Sequence, residues 1–130
     1  MEINKNREEE KKVKELRIPI LNNEYSVIVC WGDEGAIKRT VNRWHQDSVD
    51  LRSSLEDRRG VCFYKHGHHP IIALPRFPKT PTEIGTLSHE AVHAINHIFD
   101  SVSEQTRDEV FAHSVGAVVR TVLSIPKKKL

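Results

Sequence analysis

Thr80-Pro81-Thr82-Glu83-Ile84-Gly85-Thr86-Leu87-Ser88-His89-Glu90-Ala91-Val92-His93-Ala94-Ile95-Asn96-His97-Ile98 is the stretch from which the rest of the chain can be read. It opens as a capping box. The Thr80 hydroxyl can accept from the Glu83 amide while the Glu83 carboxylate reaches back, and Pro81 sits at the first helical position, where no amide hydrogen is needed. At 100° per residue, Ile84, Leu87, Ala91, Ile95 and Ile98 fall on one stripe, and His89 and His93 centre roughly opposite it. The pattern predicts a helix that lays its apolar side on a sheet and turns two imidazoles into a different groove. A second helix is expected from near Thr106, where Thr106-Arg107-Asp108-Glu109 again reads as a capping box, to just before Pro126. Phe111, Val115, Val118, Val119 and Val122 make its apolar face. Glu109, His113, Gly116 and Arg120 lie opposite, and Gly116 is expected to let the two helices approach closely.

Towards the N-terminus the period shortens. Pro75, Pro78 and Pro81 punctuate a loop. Before it, Val61–Lys65 and Ile71–Leu74 read as short strands separated by His66-Gly67-His68-His69-Pro70, a linker of hairpin length that suits an antiparallel pair. Ile18-Pro19-Ile20-Leu21 and Tyr25-Ser26-Val27-Ile28-Val29-Cys30 read as strands flanking an Asn22-Asn23 turn. The second is continuously apolar and β-branched, as in a central strand. Asp33 to about His45 looks helical, with Ile37, Val41 and Trp44 at i, i+4, i+7. Trp31 and Trp44 read as core or capping residues of this first β–α unit, and the polar residues 46–59 show no assignable pattern. The order β, α, β, β, α, α predicts an α+β domain, a few-stranded sheet packed by helices.

A chain of 130 residues has room for one such domain with a modest core. It is expected over 17–125, between a charged segment 1–16, helical or disordered, and a basic tail 126–130. Hydrophobic residues at 38% and charged residues at 29% fit a globular protein. A net charge of +2 is too small to argue for a nucleic-acid partner. No run approaches the roughly 18 apolar residues that span a bilayer, and the N-terminus lacks the apolar run of a secretory signal. Cys30 and Cys62 both fall in strand-like runs and read as free thiols rather than a disulfide. A cytoplasmic location, with no membrane partner, is the expectation.

The eight histidines matter through their placement. His89-Glu90-Ala91-Val92-His93 has the spacing H-E-x-x-H. Side chains four apart on a helix lie one above the other, so two imidazoles can hold one ion. Glu90 is rotated away from both, within reach of a water on that ion without being a ligand. Zinc brings such a water's pKa towards about 7, and the carboxylate takes its proton and passes it to a leaving amine. Hydrolytic zinc wants a third protein ligand and one open position. Glu109, on the polar face of the next helix, is the favoured candidate; Asp108 lies off that face, and Glu104 precedes the helix.

His89-Glu90-x-x-His93 followed by Glu109-x-x-Ala112 resembles the gluzincin clan of zinc peptidases, and most closely its minimal members, including small metallopeptidase-like proteins of phages and prophages. The motif-level likeness covers residues 80–120, and Leu87–Ala94 is its most specific part. The resemblance implies a small zincin-like domain, with His89, His93 and Glu109 as zinc ligands, Glu90 as general base and a protein or peptide as substrate. It also implies that an upstream edge strand, Val61–Lys65 or Ile71–Leu74, lines the cleft and pairs with an extended peptide. One departure concerns the position four residues after the third ligand, where larger gluzincins often carry a supporting aspartate. Here it is His113, a weaker acceptor.

Other histidines have competing readings. His97 continues the ladder from His93 without the glycine break a third histidine ligand would need, and reads as exposed or as a support for the site. His66, His68 and His69 are too closely spaced for a helix-borne metal pair. Their strands flank the expected cleft, so His66, His68 or Tyr64 is a candidate to stabilise the oxyanion of the tetrahedral intermediate. Two rival functions stay open: a zinc-stabilised binding module without turnover, and a metal-free interaction protein in which both motif histidines are incidental.

Overall fold

Side-chain alternation along the strands decides the layering. The computed structural model describes residues 14–46, 59–102 and 107–125. Within them the order is β1 (Glu15–Ile20), β2 (Tyr25–Trp31), α1 (Glu34–His45), β3 (Val61–Phe63), β4 (Ile71–Leu74), α2 (Pro81–Val102) and α3 (Arg107–Leu123). The expected charged extension up to residue 13, the polar run 47–58, Glu104, the Thr106 cap and the basic tail lie outside the described residues.

The strands form one mixed sheet in the order β1-β2-β4-β3. β1 is antiparallel to β2, β2 parallel to β4, and β3 antiparallel to β4. Val27, Val29 and Trp31 of β2, with Ile72 and Leu74 of β4, point to the face covered by α2 and α3. Ile28 and Cys30, with Ile71 and Ala73, point to the face covered by α1 through Ile37 and Val41. Both faces of β2 and β4 are therefore buried, which explains their unbroken apolar sequences. The domain is α+β: among the described residues, a four-stranded sheet with one helix on one face and two on the other.

Boundaries differ from expectation at β1 and β3. Glu15 and Leu16, read as the end of the charged segment, are the first residues of β1. The Glu15 carboxylate accepts from Trp44 Nε1 at 2.8 Å and pairs with Arg43, so a residue that reads as solvated charge ties β1 to α1. β3 ends at Phe63 rather than Lys65, because the chain turns at Lys65–His68. There the His68 amide donates to the Lys65 carbonyl at 3.0 Å, and Gly67 takes φ +77° at the third position, as a type II turn requires.

β3 is the edge strand beside α2. β4 lies between β2 and β3 and has no free edge, which removes Ile71–Leu74 from the two strands expected to line a cleft. The burial matches these positions: β4 is fully buried, whereas β3 is only half-buried.

Candidate metal centre

The centre is set by how α2 starts and which way it is rotated. The capping box forms as its sequence implies. The Glu83 amide donates to Thr80 Oγ1 at 3.1 Å, and the Glu83 carboxylate accepts from the amides of Lys79 and Thr80, each at 3.0 Å. Leu87, Ala91, Ala94, Ile95 and Ile98 are buried against the sheet and α3, which fixes the rotation of the helix. His89 and His93 are consequently exposed, and Glu90, beside Ala91, is turned inward to 7% exposure. The helix runs on to Val102, past the expected end near Ile98. Phe99 is buried beyond that point and meets Phe111 of α3 edge-on at 5.5 Å.

His89 and His93 bring their Nε2 atoms to 3.2 Å of each other, with ring centroids 4.8 Å apart. Each of the two histidines and Glu90 offers a donor atom within 4.8 Å of the others, the one such group among the described residues. Two nitrogens bound to one tetrahedral zinc at about 2.05 Å stand about 3.3 Å apart, so the imidazole pair has the separation of two ligands of a single ion. Without a metal, the same separation lets one nitrogen donate to the other. An open cavity of about 610 Å³ lies over the group, lined by Arg59, Gly60, Thr82, Gly85, Thr86, His89, Glu90 and His93.

Tyr64 and Cys62 flank this group from β3 and the residue just after it. They lie two residues apart and so share the sheet face turned towards α2. Burial is the main cause pushing the Cys62 thiol up to about 12, with Tyr64 a smaller, opposing influence. The Tyr64 hydroxyl is also raised, first by burial, then by Cys62 and Glu90, so it stays a protonated donor at neutral pH. Its ring lies against His97, centroids 5.0 Å apart, one turn beyond His93. Tyr64 is thus close enough to Glu90 to feel its charge but does not line the cavity.

The remaining candidates lie elsewhere. Glu109 does not join the imidazole pair. Its side chain is 89% exposed, and its carboxylate lies 3.7 Å from Nε2 of His113, itself exposed. His113 supports neither His89 nor His93, and the Asp108 side chain lies outside the described residues. His66 and His68 occupy the β3–β4 turn. His68 Nδ1 donates to the His66 carbonyl at 3.0 Å, and its ring packs on His45 of α1, 5.7 Å between centroids. That binds His68 to α1, and neither residue lines the cavity. Gly116 does not mediate a helix contact either: the atoms within 4 Å of a Cβ placed there belong to Arg120.

Arg59 and Gly60 are the site residues that the sequence did not reveal. A Cβ on Gly60 would come within 2.9 Å of Thr86 Cγ2 and 3.0 Å of Leu74 Cδ2, so only glycine lets β3 begin this close to α2. A glycine directly ahead of an apolar strand is the signal that could have found it. Arg59 ends a polar run and carries no pattern of its own.

Cys30 and Cys62 are unpaired. Among the described residues no helix is long and apolar enough to cross a membrane. Comparison with family profiles, curated proteins and solved structures finds no match to this chain.

Proposed function

We propose that the chain is a zinc-dependent hydrolase of peptide bonds. The observation that carries the reading is the 3.2 Å separation of the His89 and His93 Nε2 atoms with the Glu90 carboxylate beside them under an open cavity. His89 and His93 would hold the metal. A zinc ion there would supply Lewis acidity, polarising a carbonyl and making a water acidic near neutral pH. Glu90 is the general base: it takes the proton of the attacking water and delivers it to the leaving amine. Glu90 is buried to 7% exposure while still lining the cavity. Glu109, which the resemblance implies as third ligand, faces solvent beside His113 and is not assigned to the metal. Among the described residues β3 is an edge strand; it leads from Gly60 at the cavity and offers backbone groups to an extended peptide. A cytoplasmic setting belongs to the same proposal and is supported by the two unpaired thiols.

The test pairs turnover with metal content. Zinc-loaded protein is expected to cleave unstructured peptides, and Glu90→Gln to keep its zinc while losing at least about a hundredfold in rate, within the range of general-base catalysis. A Glu90→Gln protein with undiminished turnover would remove Glu90 from the mechanism. Zinc binding without turnover on any peptide would instead favour a zinc-stabilised binding module.

A further inference from the structure

A second cavity, about 410 Å³, adjoins the first at Arg59 and Thr82. Its wall is partly apolar, with Leu74, Pro75 and Pro78, and partly charged, with Arg76 and Glu83. The charges of the joined space can be assigned one by one. Arg76 is paired with Glu83. The Glu83 carboxylate also accepts from the two amides of the capping box, which together hold it in its charged form. The start of α2 therefore already has its anion, and Arg76 its partner. Glu90 belongs to the metal centre. Arg59 remains: it is exposed, lines both cavities and has no ion-pair partner among the described residues. The residue after it, Gly60, runs so close to α2 and β4 that a Cβ there would come within 2.9 Å of Thr86 Cγ2 and 3.0 Å of Leu74 Cδ2.

A guanidinium presents a planar fork of donors that matches a carboxylate at two points. We propose that Arg59 determines specificity by taking a carboxylate of the peptide substrate at the junction of the two cavities, beside the bond presented to His89, Glu90 and His93. The inference rests on the peptidase reading and adds the substrate class: peptides with an acidic group close to the cleavage point. That group is either an acidic side chain or the C-terminal carboxylate of the peptide, since both offer the same two oxygens.

The probes are fluorescent peptides of otherwise uncharged sequence. In one series, amidated at the C-terminus, a single Glu is walked along the chain, and each member is matched by Gln and Lys versions. A second series has no acidic side chain and carries either a free or an amidated C-terminus. Binding is followed by fluorescence anisotropy on the full chain carrying Glu90→Gln and loaded with zinc. Cleavage is followed on the zinc-loaded chain with Glu90 in place.

At one Glu position we expect binding about tenfold or more tighter than for the Gln version, as a charge-assisted bidentate pair gives. If the carboxylate comes from the peptide terminus, the free-terminus peptide shows that advantage instead. Arg59→Gln is expected to erase the ratio and Arg59→Glu to turn it in favour of Lys. Equal affinity for Glu, Gln and Lys peptides and for both termini, or a Glu preference unchanged in Arg59→Gln, overturns the proposal. Cleavage without charge preference removes Arg59 and leaves the peptidase standing. Charge-selective binding erased by Arg59→Gln, with no cleavage, removes the peptidase and leaves Arg59 as the carboxylate receptor.

Discussion

Gly60→Ala tests whether β3 and α2 touch as closely as described. The backbone of Gly60 is outside the left-handed region, so alanine meets no conformational penalty there. It should even gain about 0.4–1 kcal/mol from a less flexible unfolded chain. Against this stands the added methyl, 2.9 Å from Thr86 Cγ2 and 3.0 Å from Leu74 Cδ2, where ordinary contacts begin near 3.4 Å. Overpacking of this kind costs about 1–3 kcal/mol. The net expectation is a loss of about 1–2 kcal/mol, read as a lower urea midpoint at unchanged slope. Thr86→Ser removes one of the two clashing carbons, so the cost of Gly60→Ala should fall by roughly half in that background, a coupling that a double-mutant cycle isolates. Thr86 lies one turn before Glu90, so the same displacement should lower the hydrolysis proposed above. A Gly60→Ala protein as stable as the parent, or a cost unchanged by Thr86→Ser, would refute the reasoning.

Two further outcomes follow from the core and from buried polar groups. Phe99 is enclosed between α2 and α3, so Phe99→Ala should cost about 3–5 kcal/mol in chemical denaturation; a loss under about 1 kcal/mol would show that the helices do not pack as described. His45 is buried, donates through Nε2 to the His69 carbonyl at 2.7 Å, and has its pKa lowered, chiefly by desolvation. The unfolded chain therefore binds that proton more readily, and His45 contributes stability that is present above about pH 6.5 and lost as the pH falls below it. His45→Gln, which keeps a donor without titrating, should flatten this part of the stability profile; an unchanged slope would remove His45 as its cause.

The fold could be read where one physical signal dominated. The Thr80–Glu83 capping box fixed the start of α2, and the apolar stripe through Leu87, Ala91, Ile95 and Ile98 fixed its rotation and thus the exposure of His89 and His93. The unbroken apolar run Val27–Cys30 marked a strand covered on both faces. Glu15 was illegible because its partners, Thr40, Arg43 and Trp44, lie 25 to 29 residues away, and local sequence carries no record of such a contact. The choice between β3 and β4 as edge was equally non-local, decided by the parallel pairing of β2 with β4. At the site, helix periodicity placed His89 and His93 together, since their contact is set within one turn. The approach of Glu109 depends on how two helices meet, which periodicity within either helix does not determine. Helix-face reasoning likewise put Gly116 at a contact it does not make.

Zinc titration of the metal-free full chain by calorimetry addresses the metal centre with the fewest intervening assumptions. We expect one zinc per chain, kept by Glu90→Gln and lost by both His89→Ala and His93→Ala. A parent chain that takes up no zinc, or a double histidine variant that takes it up undiminished, would contradict a metal centre at His89 and His93.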